Sequence, residues 1–320
     1  MKYLNQLHEG EKFKEIYLVR SYQNAQTKNG KEYLNLTLSD KTMTVNAKVW
    51  DPSDPGIDDF DKNDYVHFTG DVTVFNGTLQ LNVRGAKKAR EGSYDPADYL
   101  PVSRYNIEDM YKSLLEFVDG LKEPHLKKLC ADIFIEDNEF VKAFKISSAA
   151  KSVHHSFAGG LLEHTLRVTS LCSFFAKSYT YLNRDLLITA ALCHDMAKVW
   201  EFTPFPENDY SDEGQLIGHI VLGAEKVAEY AHRQADFPEV LLRELRHCIL
   251  SHHGKLEYGS PKLPSLAEAI ALHYADDTDA KLETMREALE NAASAGQTGW
   301  LGKNFALDTN IRKTIGAGDV

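Results

Sequence analysis

The hydrophobic rhythm of the chain changes about a third of the way along. Residues 13–90 alternate apolar and polar positions in five runs, FKEIYLVRSYQNA (13–25), KEYLNLTLSD (31–40), TMTVNAKVW (42–50), YVHFTGDVTVF (65–75) and TLQLNVRGAKKA (78–89). Successive side chains of a strand point to opposite faces, so a period of two with β-branched and aromatic enrichment predicts five half-buried strands. Asn29-Gly30 and Asn76-Gly77 fall between such runs, where Gly supplies the positive φ that hairpin turns need. Five short strands in one segment suit a closed barrel of the OB type. The acidic stretch DPSDPGIDDFDKND (51–64) occupies the place of that fold's connecting helix or loop, and its charge sets it apart from phosphate contacts.

Beyond EGSYDPADYLPVS (91–103), whose two prolines mark a linker, the period becomes helical. Apolar residues recur at i, i+3 and i+4 in IEDMYKSLLEFVDGL (107–121), PHLKKLCADIFI (124–135), LLEHTLRVTSLCSFFAKSY (161–179), RDLLITAALCHDMAKVW (184–200), LIGHIVLGAEKVAEYAHRQ (216–234), PEVLLRELRHCILSHH (238–253) and PSLAEAIALHYADDTDAKLETMREALE (264–290). The expectation is therefore a multidomain chain, an N-terminal all-β OB-fold barrel over 1–95, a linker over 96–106, an all-α domain over 107–292, and a Gly- and Ala-rich tail over 293–320.

Charge and cysteine usage narrow the function. A net charge of −11 argues against a protein that coats nucleic acid nonspecifically, because such proteins neutralise phosphates with Lys and Arg. The deficit is uneven: residues 1–100 hold 13 Lys and Arg against 15 Asp and Glu, so most of the negative charge belongs to the helical part, where bound divalent cations would offset it locally. Four scattered cysteines, Cys130, Cys172, Cys193 and Cys248, give neither a disulfide framework nor a zinc ribbon and read as buried thiols. The first residues lack a signal-peptide core and no segment reaches the roughly 20 apolar residues of a membrane span, so a cytoplasmic location with no membrane partner is expected.

Seven residues of the helical part carry chemistry: His164, the pair His194-Asp195, His219, the pair His252-His253, and Asp276. Imidazole and carboxylate are the ligand set of divalent Mn, Fe, Co or Zn, and a helical bundle can point such residues at one another through its core. A single His in an apolar helix is more often a hydrogen-bonded core residue, which is the reading for His8, His67, His125, His232, His247 and His273. Two adjacent polar groups at the end of LLITAALCHDMAK are different, since they are costly to bury unless paired or metal-bound.

The pattern H…HD…D made by His164, His194-Asp195 and Asp276 resembles that of the HD phosphohydrolase superfamily. HHSFAGGLLEHT (154–165), CHDMAKVWEF (193–202), GHIVLGAEKV (218–227), SHHGKLEYGSPKLP (251–264) and LHYADDTDAK (272–281) resemble the YhaM-type 3′–5′ exoribonucleases, which join an OB-fold to an HD domain. The resemblance extends over nearly the whole chain, including NFALDTN near the end, and is weaker in the barrel and around 102–145. It implies one metal held by His164, His194, Asp195 and Asp276, and a second held by Asp195 as bridge with His219 and one or both of His252 and His253. Two such cations, Mn being the first choice, can polarise a phosphodiester, lower the pKa of a water and stabilise the departing oxygen. Lys198 is placed to touch a phosphate oxygen, or to be an exposed helix-end lysine, and His155, beside His154, to contact the scissile phosphate or protonate the leaving group, or to serve helix entry.

Lys255 and Lys262 in the loop after the His pair, and Tyr33, Trp50 and Phe75 on the barrel with Lys31, Lys48 and Arg84 nearby, are candidates for binding single-stranded nucleic acid. Solvated charge and barrel core are the plain alternatives. The function so implied is a metal-dependent 3′–5′ exoribonuclease releasing 5′-mononucleotides from single-stranded RNA, with single-stranded DNA as a further substrate and a homo-oligomer left open. Two other readings compete. An HD phosphohydrolase for small nucleotides or cyclic dinucleotides leaves the barrel unexplained, and a non-catalytic single-strand-binding protein leaves the intact ligand set unexplained.

Overall fold

A computed structural model describes residues 1–27, 30–75, 78–95, 98–99, 102–151, 157–294 and 299–314. The chain divides into two compact units, Met1–Val102 with Phe205–Glu207, and Ser103–Pro204 with Asn208–Val320.

The first unit is built on β1 (Lys12–Gln26), β2 (Glu32–Ser39), β3 (Thr44–Val49), β4 (Tyr65–Phe75) and β5 (Thr78–Lys88), which close into a barrel in the order β1-β2-β3-β5-β4. That order is the five-stranded OB barrel the alternation predicted. Closure depends on the length of β1: Lys12–Leu18 pair with β4, Leu18–Gln26 pair with β2, and a register shift between Val19 and Ser21 turns the strand from one neighbour to the other. One parallel pairing, β3 with β5 from Asn46↔Gln80 to Val49↔Val83, completes the ring. Its interior is filled by alternate residues, among them Leu36, Leu38, Val45, Ala47, Val49, Leu81 and Val83. The 51–64 segment is a loop, tied to the sheet by the bridge Ile57↔Ala86. Gly30 has a φ of 77°, while Asn29 and the pair Asn76-Gly77 lie outside the described residues.

The second unit is helical: α1 (Ile107–Asp119), α2 (Pro124–Ala131), α3 (Asn138–Ile146), α4 (Gly160–Ser178), α5 (Arg184–Cys193), α6 (Lys198–Glu201), α7 (Asp212–Leu216), α8 (His219–Ala231), α9 (Glu239–Leu250) and α10 (Ala267–Ser294). Starts are set locally. Asn106 and Asn183 accept backbone N–H groups at the heads of α1 and α5, and Pro124 opens α2, where its missing N–H costs nothing. Helix α5 is buried from Asp185 to Cys193, since Leu186, Leu187, Ile188, Ala190, Ala191 and Leu192 occupy every face. A helix apolar all round belongs at the centre of a bundle, and α5 packs against α2, α4, α9 and α10. Trp300–Asn304 (β6) and Thr309–Arg312 (β7) form a two-stranded hairpin in the segment that the sequence pattern leaves as a tail. Short α3 buries Phe140 and Phe144, an i, i+4 pair. No helix among the described residues is long and apolar enough to cross a membrane, and all four cysteines are buried free thiols.

Candidate metal centre

The HD pair does not lie within a helix, as the continuous apolar run had led us to expect. Helix α5 ends at Cys193, and His194-Asp195 occupy the turn before α6. The last carbonyls of a helix lack intrahelical partners. His194 uses one of them, its Nδ1 donating to Ala191 O at 2.8 Å, and this fixes the ring with Nε2 turned inward. The same device recurs after α9, where His252 Nδ1 donates to Ile249 O at 2.6 Å. His253 Nδ1 donates to Tyr258 O at 2.8 Å. His164, on α4, donates from Nδ1 to Asp279 Oδ2 at 2.8 Å, and His219, the first residue of α8, donates to Glu201 Oε1 at 2.8 Å. All five imidazoles thus commit Nδ1 to an acceptor and present Nε2 to one centre.

Ligand atoms gather in two groups, each within 4.8 Å: His164, His194 and Asp276, and His219, His252 and His253. Asp195 stands between them. Its Oδ2 lies 3.4 Å from His164 Nε2 and 3.5 Å from His194 Nε2, while Oδ1 lies 3.4 Å from His219 Nε2 and 3.6 Å from His252 Nε2. Asp195 Oδ1, His219 Nε2 and His252 Nε2 are buried with no hydrogen-bond partner among the described residues. An unsatisfied buried polar atom costs about 1–3 kcal/mol, and three such atoms facing one another, two imidazole nitrogens and a carboxylate oxygen, fit a divalent cation.

Electrostatics at the centre follow from burial and crowding. Burial lowers the His194 and His253 imidazoles to about 4, so both offer neutral lone pairs near pH 7. His164 goes the other way: burial works against its charge, but Asp195, Asp276 and Asp279 outweigh it and hold the ring well above the ordinary imidazole value. Burial would raise the Asp195 carboxyl, yet Lys198 and the surrounding histidines keep it well below the carboxylate range. Lys198 Nζ donates to Asp195 Oδ2 at 2.6 Å.

Two glycines permit the loops to come this close. Gly218, immediately before His219, has φ 78° and ψ 155°, a region essentially closed to other residues. Gly254 has φ 76°, and a Cβ there would lie 2.3 Å from the His273 ring, whose Nδ1 donates to His252 O at 3.0 Å. His273, read from the sequence as structural, therefore clamps the His252 turn.

The centre opens into a cavity of about 550 Å³ lined by His164, Asp195, Lys198, His219, His253 and Asp276 together with Lys151, Tyr210 and Tyr258. Asp279, Glu201, Lys151 and Tyr210 went unassigned in the sequence. Glu201 falls inside the CHDMAKVWEF motif, and Asp279 stands three residues beyond Asp276 on one face of α10, but a run of three acids within four positions does not say which faces inward. His155, with His154, lies outside the described residues. Lys255 and Lys262 are exposed; Lys255 Nζ sits 4.9 Å over the Tyr258 ring and 3.4 Å from Glu257. On the barrel, Tyr33 and Trp50 form a cross-strand pair with ring centroids 5.1 Å apart, and Lys48 Nζ lies 4.8 and 5.2 Å from them. Trp50 is 43% and Phe75 63% exposed, so both are surface groups instead of core.

Histidines and aspartates gathered from helices and from the turns that follow them into two adjoining groups, in a region that matches the HD domain family over residues 161–281, define a metal-dependent phosphohydrolase of the HD class. Relatives span nearly the whole chain. The 3′–5′ exoribonuclease YhaM of Geobacillus sp. (strain WCH70) is 33% identical over 283 residues, 88% of this chain and 86% of the relative. That of Bacillus subtilis (strain 168) is 33% identical over 287 residues, 89% of this chain and 90% of the relative. The chain belongs to the YhaM family of 3′–5′ exoribonucleases. Among solved structures, the second OB-fold domain of replication protein A from Methanococcus maripaludis is similar at 18% identity and a TM-score of 0.23, covering 29% of this chain and 96% of that domain.

Proposed function

We infer that this protein is a metal-dependent 3′–5′ exoribonuclease that shortens single-stranded RNA to 5′-mononucleotides at a two-cation centre. The observation that carries the two-cation reading is the division of Asp195, with one carboxylate oxygen toward His164 and His194 and the other toward His219 and His252. Asp276 joins His164 and His194 in the first group and His253 joins the second. Divalent cations bound there, Mn²⁺ foremost with Fe, Co and Zn as other fits to the donor set, supply Lewis-acid polarisation of the phosphodiester and a water of lowered pKa.

The chain's own groups do the rest. Lys198 keeps Asp195 ionised and oriented through Oδ2, and as a cavity wall it offers positive charge to a phosphate oxygen. Lys151 and Tyr210 stand on the same wall, 5.6 Å apart from Nζ to ring centroid, a charge and a flat face suited to a terminal nucleotide. On the barrel, Tyr33, Trp50 and Lys48 offer a stacking platform on the outer face of β2 and β3, and Phe75 a second aromatic at the end of β4. Lys255, over the ring of the cavity-lining Tyr258, and Lys262 further along the same segment add phosphate contacts. Single-stranded DNA fits the same platform, and a cytoplasmic location fits an RNA substrate.

The test is a 5′-labelled RNA hairpin with a 3′ single-stranded extension, incubated with Mn²⁺. Products trimmed to near the stem are expected, because unpairing costs on the order of 1.4 kcal/mol per stacked step and the sequence has no GxxxxGK[ST] motor motif to supply that work. Cuts inside a circular RNA would overturn the reading in favour of an endonuclease.

A further inference from the structure

The five imidazoles are anchored in two chemically different ways. His194 and His252 follow the C-termini of α5 and α9, where helix-end carbonyls await a donor, and His253 finds a loop carbonyl. His164 and His219 stand near the N-terminal ends of α4 and α8, where the unsatisfied backbone groups are N–H donors and no carbonyl is offered. At these two positions a buried carboxylate takes the carbonyl's place. Asp279 receives His164, and Glu201 receives His219, each at 2.8 Å and each residue buried.

The two carboxylates fall one to each ligand group, since His164 belongs with His194 and Asp276 while His219 belongs with His252 and His253. Building on the two-cation reading above, we propose that Asp279 and Glu201 are positioning residues, each fixing the tautomer and aim of one histidine and so governing cation affinity in one half of the centre. Both are held still. Arg167 Nη1 lies 3.6 Å from Asp279 Oδ1 and donates to Glu283 Oε2 at 2.9 Å, tying α4 to α10 behind His164. Glu201 Oε1 accepts the His219 backbone N–H at 2.9 Å as well as the ring N–H, so one oxygen sets both the start of α8 and the direction of its imidazole. A neutral amide at either position keeps the shape but weakens the acceptor, and loss of such an anchor lowers metal affinity by about 10–100-fold.

The experiment measures Mn²⁺ uptake by the full-length chain in equilibrium dialysis across a range of free Mn²⁺, with a thermal melt of each variant. Wild type should take up two ions. Asp279→Asn and Glu201→Gln should each keep one at wild-type affinity and bind the other about 10–100-fold more weakly. His253→Ala, which cripples the His219 group, separates the halves: adding Asp279→Asn to it should weaken the remaining ion, whereas adding Glu201→Gln should change little. Asp185→Asn is the structural control, because Asp185 is a buried carboxylate at the opposite end of α5 from the HD pair, where it accepts the backbone N–H groups of Lys122 and Glu123; it should lower the melting temperature and leave Mn²⁺ binding unchanged. Unchanged Mn²⁺ affinity in both anchor variants would overturn the proposal, as would an Asp185→Asn variant that loses Mn²⁺ as strongly as Asp279→Asn. If Asp279→Asn does not fold, Glu201→Gln alone decides. A wild type that takes up one ion refutes the two-cation reading; the anchors are then upheld if either variant weakens that ion and overturned if neither does.

Discussion

The barrel and the helical unit place their polar chemistry in opposite ways. In the barrel the strand period sends Leu36, Leu38, Val45, Ala47 and Val49 inward, leaving Tyr33, Lys48 and Trp50 on the outer face. Its buried Asp40 is used up on the N–H groups of Leu4, Thr42 and Met43. The helical unit instead buries His164, His194, Asp195, His252, Glu201 and Asp279, and Asp195 Oδ1 and His252 Nε2 there have no hydrogen-bond partner among the described residues. Stacking a base requires an accessible flat face, and every base has one, so a binding surface can be exposed and individually tolerant. Bond cleavage requires charge fixed in a site that excludes most water, where each group is expensive to bury and cannot be replaced singly.

That contrast breaks first at Asp195. Asp195→Ala should reduce hydrolysis of single-stranded RNA by at least about a thousandfold while oligonucleotide binding, read by fluorescence anisotropy, stays within about twofold of wild type. Retention of more than about a tenth of the activity would mean that Asp195 is no bridging ligand.

Metal removal probes the same side through stability. Chelation should abolish hydrolysis reversibly, and restoring free Mn²⁺ to 100 times its dissociation constant should stabilise the chain by about 2.7 kcal/mol per site, seen as a rise in melting temperature. A melting curve indifferent to Mn²⁺ would remove the centre's claim to bind it. On the barrel side the expected losses are smaller. Tyr33→Ala with Trp50→Ala should weaken binding to long single strands by about 1–3 kcal/mol for each lost stacking contact, with cleavage of a dinucleotide unaffected. Equal losses on long and minimal substrates would show that the barrel also contributes to the chemistry. The smallest effect belongs to the loop lysines: Lys262→Ala should flatten the salt dependence of single-strand binding by about 0.7 in log–log slope, one phosphate contact's worth, and leave the rate at saturating RNA alone. An unchanged slope would make Lys262 a solvated surface charge.

Much of this was legible along the chain because it is local. The change from period two to i, i+3, i+4 located five strands and the major helices, since each periodicity records which face of an element meets the core. Residue type singled out the proposed ligands, because few reasons exist for His194-Asp195 and His252-His253 to interrupt apolar segments. Short α3 and the β6–β7 hairpin carry too few positions for a period to stand out.

What the tertiary structure decided is everything that depends on direction. Whether the HD pair sits in a helix or just past its end turned on His194 taking the Ala191 carbonyl, a side-chain contact that no hydropathy pattern encodes. Three acids, Asp276, Asp277 and Asp279, look alike in sequence, yet packing of α10 on α4 turns Asp276 toward His164 Nε2 and Asp279 toward His164 Nδ1. Composition and period fix which residues can be buried; only the crossing of helices fixes which atom of each one faces the shared centre.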